Sequence, residues 1–152
     1  MCGAGTTLIE SCIQKKYCTG IDIDPVAILT SKVSTTPIEN EQLNLFQNSF
    51  LKELNSSKNS KAVASVELPN EKEYPNYKLW FREETLQELL FIKQKIFEIE
   101  DENLRNLAKL SLSNITKLVS NADPRDIFPE RDLKNPIREK KDVFKKFSIY
   151  FR

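Results

Sequence analysis

Two glycines and one aspartate near the start of the chain have the types and spacing needed to hold a ligand. Gly3 and Gly5 carry no Cβ, so the backbone can turn tightly there and lie close against a bound molecule. Asp22 follows Gly3 at the spacing of about 20 residues that, in a turn–helix–strand unit, brings a carboxylate to a ribose hydroxyl. The chain has only 3 glycines, and the third, Gly20, lies just before this aspartate.

These positions predict a site for an adenosine-containing ligand. The N-terminus of the helix after the turn offers unpaired N–H groups and partial positive charge, and Asp22 can accept hydrogen bonds from the ribose. A dinucleotide fingerprint requires Gly or Ala three residues after Gly5, and Leu8 stands there, so NAD is disfavoured. The Gly-Lys-Ser/Thr sequence of a phosphate-binding loop is absent.

The pattern around the turn predicts a helix over 5–16 and a short strand over 17–23, which is rich in aromatic and β-branched side chains. Pro25 then sets the first turn of a second helix. The predicted buried sides of the two helices are Leu8, Ile9, Cys12 and Ile13, and Val26, Ile28, Leu29 and Val33. Cys12 and Cys18 are interpreted as small buried apolar residues.

Helical periodicity dominates the rest of the chain. A polar helix is predicted from about residue 39, and residues 61–77 are interpreted as an extended loop with a β-prone piece. Trp80 and Phe81 open a pair of helices whose apolar residues recur at three-and-four spacing up to about residue 119.

Composition limits the partners. With 23 basic and 22 acidic residues among 152, the net charge is close to zero and does not indicate binding to nucleic acid or to a membrane surface. No apolar run in the sequence is long enough to span a membrane. The 3 cysteines occur without histidine or a secretory segment, which indicates a reducing, cytoplasmic setting and disfavours a metal site.

The last 22 residues, from Arg131, are basic and contain interleaved aromatic residues. They could contact nucleic acid through phosphates and stacking. The alternative is a solvated amphipathic segment whose aromatics pack on a partner, and we favour it because surface charge clusters are common. The chain is divided into a partial cofactor-binding segment (1–37), a helical segment (38–122) and a basic, aromatic tail (123–152).

The opening sequence resembles a known family. The stretches Cys2-Gly-Ala-Gly-Thr-Thr-Leu-Ile-Glu10 and Gly20-Ile-Asp-Ile-Asp-Pro-Val-Ala27 resemble motif I and the following acidic motif of class I S-adenosylmethionine-dependent methyltransferases. The likeness is greatest to DNA amino-methyltransferases, whose motif usually reads D-P-F-x-G-S-G-T-T, with Ala4 here in place of serine. The resemblance implies an α/β fold: a fragment of a Rossmann-like methyltransferase fold, predominantly α-helical in this chain.

The resemblance also implies roles for individual residues. Cys2, Gly3, Ala4 and Gly5 would form the S-adenosylmethionine-binding turn, the two glycines lining the methionine and ribose side of the cofactor. Asp22 would bind the ribose hydroxyls and Ile23 would flank the adenine.

The sequence departs from the family pattern at two places. Met1 stands where the motif has the phenylalanine of D-P-F, and no Pro-Pro pair exists for the catalytic D/N/S-P-P-Y/F/W loop, so no catalytic residue is assigned. The chain is therefore interpreted as an internal fragment, starting at motif I, of a site-specific DNA methyltransferase acting on an adenine or cytosine amino group. It is expected to be inactive alone, with DNA and a complementary methyltransferase chain as partners. The alternatives are an RNA methyltransferase fragment and a non-catalytic helical interaction module.

Overall fold

The chain folds into a set of packed helices. The computed structural model describes residues 2–72, 74–123, 130 and 139–152. The helices in these ranges are α1 (Thr6–Ile13), α2 (Pro25–Thr35), α3 (Asn40–Ser57), α4 (Lys61–Ala64), α5 (Tyr77–Trp80), α6 (Glu83–Phe97), α7 (Glu102–Val119) and α8 (Val143–Tyr150). No helix in this part of the chain has the length and apolar character needed to cross a bilayer.

The predicted α/β, Rossmann-like fold class is wrong. The described residues contain no strand and no sheet, so the architecture is helical. Residues 17–23, the predicted strand, follow α1 without regular secondary structure and bend at Ile23, and none of them makes a backbone–backbone hydrogen bond to another described residue. The local sequence favours an extended backbone, yet a strand exists only when a neighbouring chain satisfies its N–H and C=O groups.

The predicted helices are confirmed, with adjusted ends. A further short helix, α4, lies in the region 61–77 that we interpreted as an extended loop, and another, α5, begins at its last residue. Helix α7 begins where Asp101 accepts hydrogen bonds from the backbone N–H groups of Asn103 (2.8 Å) and Leu104 (3.0 Å). This cap explains why the acidic stretch between α6 and α7 ends one helix and starts the next.

The core lies where α6, α7 and α8 pack together, with α3 against α8. Ile92 and Ile96 of α6 and Ala108 and Ile115 of α7 are completely buried. Each buried isoleucine contributes roughly 1.5–3 kcal/mol through removal of apolar surface from water. These helices form the apolar platform of the molecule, and neither the glycine turn nor α1 contributes a buried hydrophobic residue to it.

Three phenylalanines of the tail belong to this core, whereas Tyr150 is 46% exposed. Phe144, Phe147 and Phe151 are each no more than 1% exposed, and Phe151 packs edge-on to Phe50 of α3 at a centroid distance of 5.7 Å. Gln47 of α3 donates a hydrogen bond to the carbonyl of Phe151. The phenylalanines are thus occupied within the chain and are not free to stack on bases or on a partner. Residues 124–129 and 131–138 of the tail lie outside the described residues.

The first two helices attach to this platform through α2, which packs against α7 while α1 packs against α2. Lys32 of α2 forms an ion pair with Glu102 at the start of α7. The predicted buried sides of α1 and α2 are largely wrong, since Ile13, Val26 and Ile28 are 68%, 45% and 48% exposed. Apolar periodicity identifies a helix face that can be buried, but burial also requires a layer to cover it.

Candidate functional site

The glycine turn adopts a backbone conformation that favours glycine at two positions. Gly3 has φ of +48° and Gly5 has φ of +81°, both in the left-handed region. The turn closes through a hydrogen bond of 2.8 Å, in which the N–H of Gly5 donates to the carbonyl of Cys2. Gly5 then serves as the N-cap of α1, and no side chain caps the helix. The first N–H groups of α1 are therefore available to a ligand.

Asp22 is held directly beside this turn. Its Oδ2 accepts a hydrogen bond of 2.9 Å from the N–H of Gly3, and its Oδ1 accepts one of 3.1 Å from the N–H of Asp24. The structure thus brings together the glycine and the carboxylate that the sequence spacing pairs. The Gly3 N–H, and after it the Asp24 N–H, lowers the pKa of Asp22, because both stabilise the charged form.

Ser31 of α2 anchors the turn from the other side. Its Oγ donates a hydrogen bond of 3.2 Å to the carbonyl of Gly3, and its side chain is buried. A Cβ at Gly5 would lie 2.8 Å from Ser31 Oγ and 3.0 Å from Ser31 Cα. Gly5 is thus needed for close contact with α2 as well as for its φ angle. Ser31 is not among the residues predicted from the sequence, because a serine on a partly polar helix carries no signal of its contact with Gly5.

Gly20 lets the segment 17–23 lie against α1. A Cβ there would come within 2.8 Å of Leu8 Cδ1 and 2.9 Å of Cys2 Cβ. Cys2 is half-buried at this contact, whereas Cys12 and Cys18 are exposed free thiols. The interpretation of Cys12 and Cys18 as buried residues is therefore wrong, because neither lies under a covering layer.

The other predicted site residues face open space. A Cβ built on Gly3 would meet no atom within 4 Å, and Ala4 is exposed. The side chain of Ile23 is 92% exposed. A cavity of about 330 Å³ lies next to the turn, between the segment 17–23 and α2; its lining includes Cys2, Thr19 and Ser31. This volume lies at the lower end of the range for small-molecule sites.

The two glycines of the turn are expected to tolerate alanine differently. Gly3→Ala should destabilise the turn by about 1–2 kcal/mol, because alanine is strained in the left-handed conformation but meets no neighbouring atom there. Gly5→Ala adds overlap with the backbone of Ser31, which a rotamer change cannot relieve, for a total of roughly 2–4 kcal/mol. Hydrogen exchange of the α1 and α2 amides measures these local opening free energies, with α7 amides as the internal reference. Equal losses in the two variants would show that Gly5 does not pack on Ser31 in solution.

The ionisation of Asp22 and the hydrogen bond from Gly3 should be linked. Because the folded-state pKa is lowered, the stabilisation by the carboxylate is complete above the ordinary aspartate value of about 3.9. It is lost as the pH falls through the lowered pKa. In an NMR titration, the Asp22 carboxyl carbon and the Gly3 amide should share one midpoint below that ordinary value. In Asp22→Asn the amide should lose this transition, and a midpoint at or above the ordinary value would refute the contact.

Comparison with known proteins gives one informative similarity. The chain is 27% identical over 119 residues to the Type II methyltransferase M.MvaI of Kocuria varians, and the alignment covers 78% of the chain. The matched region spans about a quarter (26%) of that relative's length. No protein-family profile matches the chain, and no solved structure matches it. The similarity supports a distant relationship between this chain and a methyltransferase.

Proposed function

We propose that this chain supplies the cofactor-binding segment of a site-specific DNA methyltransferase that uses S-adenosylmethionine to methylate an adenine or cytosine amino group. The observation that carries the proposal is the hydrogen bond between the Gly3 N–H and the Asp22 carboxylate. It joins the two parts of the motif whose sequence resembles that of the methyltransferases. The similarity to a Type II methyltransferase over most of the chain supports the same proposal.

The residues of the turn fit an adenosine-containing cofactor. The Asp22 carboxylate accepts two backbone hydrogen bonds, and a carboxylate has about four lone-pair sites, so acceptor capacity remains for ribose hydroxyls. Gly3 faces open space, and because it has no Cβ, a ligand can lie directly against its backbone. Ile23 presents an exposed apolar side chain that can cover one face of an adenine.

Within this proposal the chain binds and orients the cofactor. S-adenosylmethionine, when bound, supplies an electrophilic methyl group on its sulfonium. Cys2, Gly3, Ala4 and Gly5 line the cofactor with backbone, and the uncapped N-terminus of α1 offers N–H groups to its polar atoms. Asp22 fixes the ribose, and its lowered pKa keeps the carboxylate charged to a lower pH than that of an ordinary aspartate.

The methyl transfer itself requires residues that we do not assign to this chain. No Pro-Pro pair occurs in the sequence, so the loop that would hold the target amino group is not among its 152 residues. We propose that a complementary methyltransferase chain supplies that loop and that the substrate is DNA. The chain alone should bind the cofactor and transfer no methyl group.

Cofactor titration by calorimetry tests this role. Asp22→Asn should weaken binding of S-adenosylmethionine by roughly tenfold, because a hydrogen bond to a charged group is worth about 1.5–3 kcal/mol. Asp24→Asn is the matched control: it removes the same charge two residues away, and asparagine still accepts the Val26 N–H that caps α2. The control should bind within about twofold of the unchanged chain.

An analogue separates ribose binding from support of the turn. S-adenosylhomocysteine lacking both ribose hydroxyls should bind the unchanged chain more weakly than its parent, and should show no further loss with Asp22→Asn. Absence of binding at millimolar cofactor would refute the proposal and leave the helical interaction module as the better interpretation. Equal loss in the Asp22 and Asp24 variants would refute the role of Asp22.

A further inference from the structure

Two neighbouring cavities form a groove beside α6. Their volumes are about 400 Å³ and about 390 Å³, which is within the range of small-molecule sites. Glu67, Leu90 and Lys93 line both cavities, so the two share one wall. All the lining residues fall between Val66 and Phe97, so the groove is separate from the cavity beside the glycine turn. We name the two cavities together the α6 groove.

Both cavities of the α6 groove have an aromatic lining. Tyr74, Tyr77 and Phe81 line the first cavity, and Phe97 lines the second. Tyr74 and Phe97 are 61% and 58% exposed, and neither ring stacks on another ring in the part of the chain that the structure describes. These rings therefore differ from the phenylalanines of α8, which are buried in the core. Each cavity offers an aromatic ring to a planar ligand.

Lysine ammonium groups lie close to these rings. The Nζ of Lys78 is 5.9 Å from the centroid of the Tyr77 ring, and the Nζ of Lys109 is 4.8 Å from the centroid of the Phe97 ring. Lys93 lines the shared wall and forms no ion pair with another described residue. Aromatic rings with cations beside them are typical of sites that stack bases and neutralise phosphates.

We propose that the α6 groove binds single-stranded nucleic acid, with one base in each cavity and the intervening phosphate at Lys93. The inference does not depend on the proposed function. A single strand exposes the faces of its bases for stacking, whereas a duplex buries them. Two cavities that share one cation match two bases joined by one phosphate, and a free nucleotide would fill only one of them.

The carboxylate of Glu67, on the shared wall, gives the groove a preference among bases. It repels a phosphate, but it can accept a hydrogen bond from the exocyclic amino group of a base. Cytosine carries such a group and thymine does not, so oligodeoxycytidine should bind more tightly than oligothymidine. Glu67→Gln should reduce this preference by raising the affinity for oligothymidine. A preference that is absent, or that Glu67→Gln leaves unchanged, would overturn the placement of a base beside Glu67.

The association should be weak and sensitive to salt. The net charge of the chain is only +1, and Lys78 is partly neutralised by its ion pair with Glu71, at 2.9 Å. We expect a dissociation constant on the order of 100 μM at low salt. Fluorescence anisotropy of a labelled oligodeoxycytidine, titrated with the full chain, measures this constant.

Two tyrosine variants test the stacking. Tyr74→Leu removes an exposed ring but keeps an apolar side chain, and it should weaken binding by about fivefold to a hundredfold. Tyr150→Leu makes the same change at a 46% exposed tyrosine of α8 that lines neither cavity, and it should leave binding unchanged. Circular dichroism confirms that both variants keep their helices. Equal losses would overturn the proposal, because binding would then not depend on the groove.

Two lysine variants test the phosphate contact. Lys93→Gln should weaken binding, and the slope of log affinity against log salt should become shallower by about 0.7. Lys52→Gln is the matched control, because Lys52 is an exposed lysine of α3 that lines neither cavity, and it should change neither quantity. A slope that Lys93→Gln leaves unchanged would contradict the phosphate position, as would equal changes in the two variants.

Competition against the labelled strand separates the possible ligands. A cytosine dinucleotide should displace it at a lower concentration than cytidine monophosphate does, and a duplex of the same length as the strand should compete poorly. Equal competition by the mononucleotide would overturn the proposal in favour of a free nucleotide. Absence of binding at low salt and millimolar chain would also overturn it, and would leave the groove to apolar side chains of a protein.

Discussion

The hydrogen bond from the Gly3 N–H to the Asp22 carboxylate is the contact on which the opening segment depends. Because residues 17–23 have no backbone partner among the described residues, no sheet holds them in place. They are held instead by the hydrogen bond of the Asp22 carboxylate to Gly3 and by the contact of Gly20 with α1. The glycine turn itself is anchored by the hydrogen bond from Ser31 to the Gly3 carbonyl. The contact between Gly3 and Asp22 places an ionised acceptor beside an uncapped helix N-terminus, which is the arrangement that the proposed cofactor role requires.

The segment and the helical core are stabilised by different kinds of interaction. The core around α6, α7 and α8 is held by buried apolar side chains, including the phenylalanines of α8. The N-terminal segment up to Asp24 is held by a few polar contacts, including those of Asp22 and Ser31 with Gly3, and α1 buries none of its residues. Helix α2 joins the two, through packing on α7 and the exposed Lys32–Glu102 ion pair, which alone contributes little. Such a segment can adjust to a ligand or a partner without disturbing the core.

The sequence predicted those features of the structure that depend on neighbouring residues in the chain. It did not predict those that depend on contacts between distant segments. Periodicity and turn residues located the main helices. The spacing of Gly3 and Asp22 predicted a carboxylate for a ribose hydroxyl, and in the structure this carboxylate accepts a hydrogen bond from Gly3 itself. The strand at 17–23 and the α/β class failed because a sheet needs partners that no single segment specifies. The buried roles of Cys12 and Cys18 failed for the same reason, since burial depends on a covering layer. Ser31 was missed because its importance lies in its approach to Gly5.

Chemical-shift mapping of the isotopically labelled chain with S-adenosylmethionine tests the central claim most directly. If the turn and the carboxylate form a cofactor site, the amides of Gly3, Ala4 and Ile23 should shift in a saturable manner, while those of α7 stay fixed. The same titration on Asp22→Asn should need more cofactor to reach the midpoint. Shifts absent from the turn at millimolar cofactor, or confined to the helical core, would contradict the account.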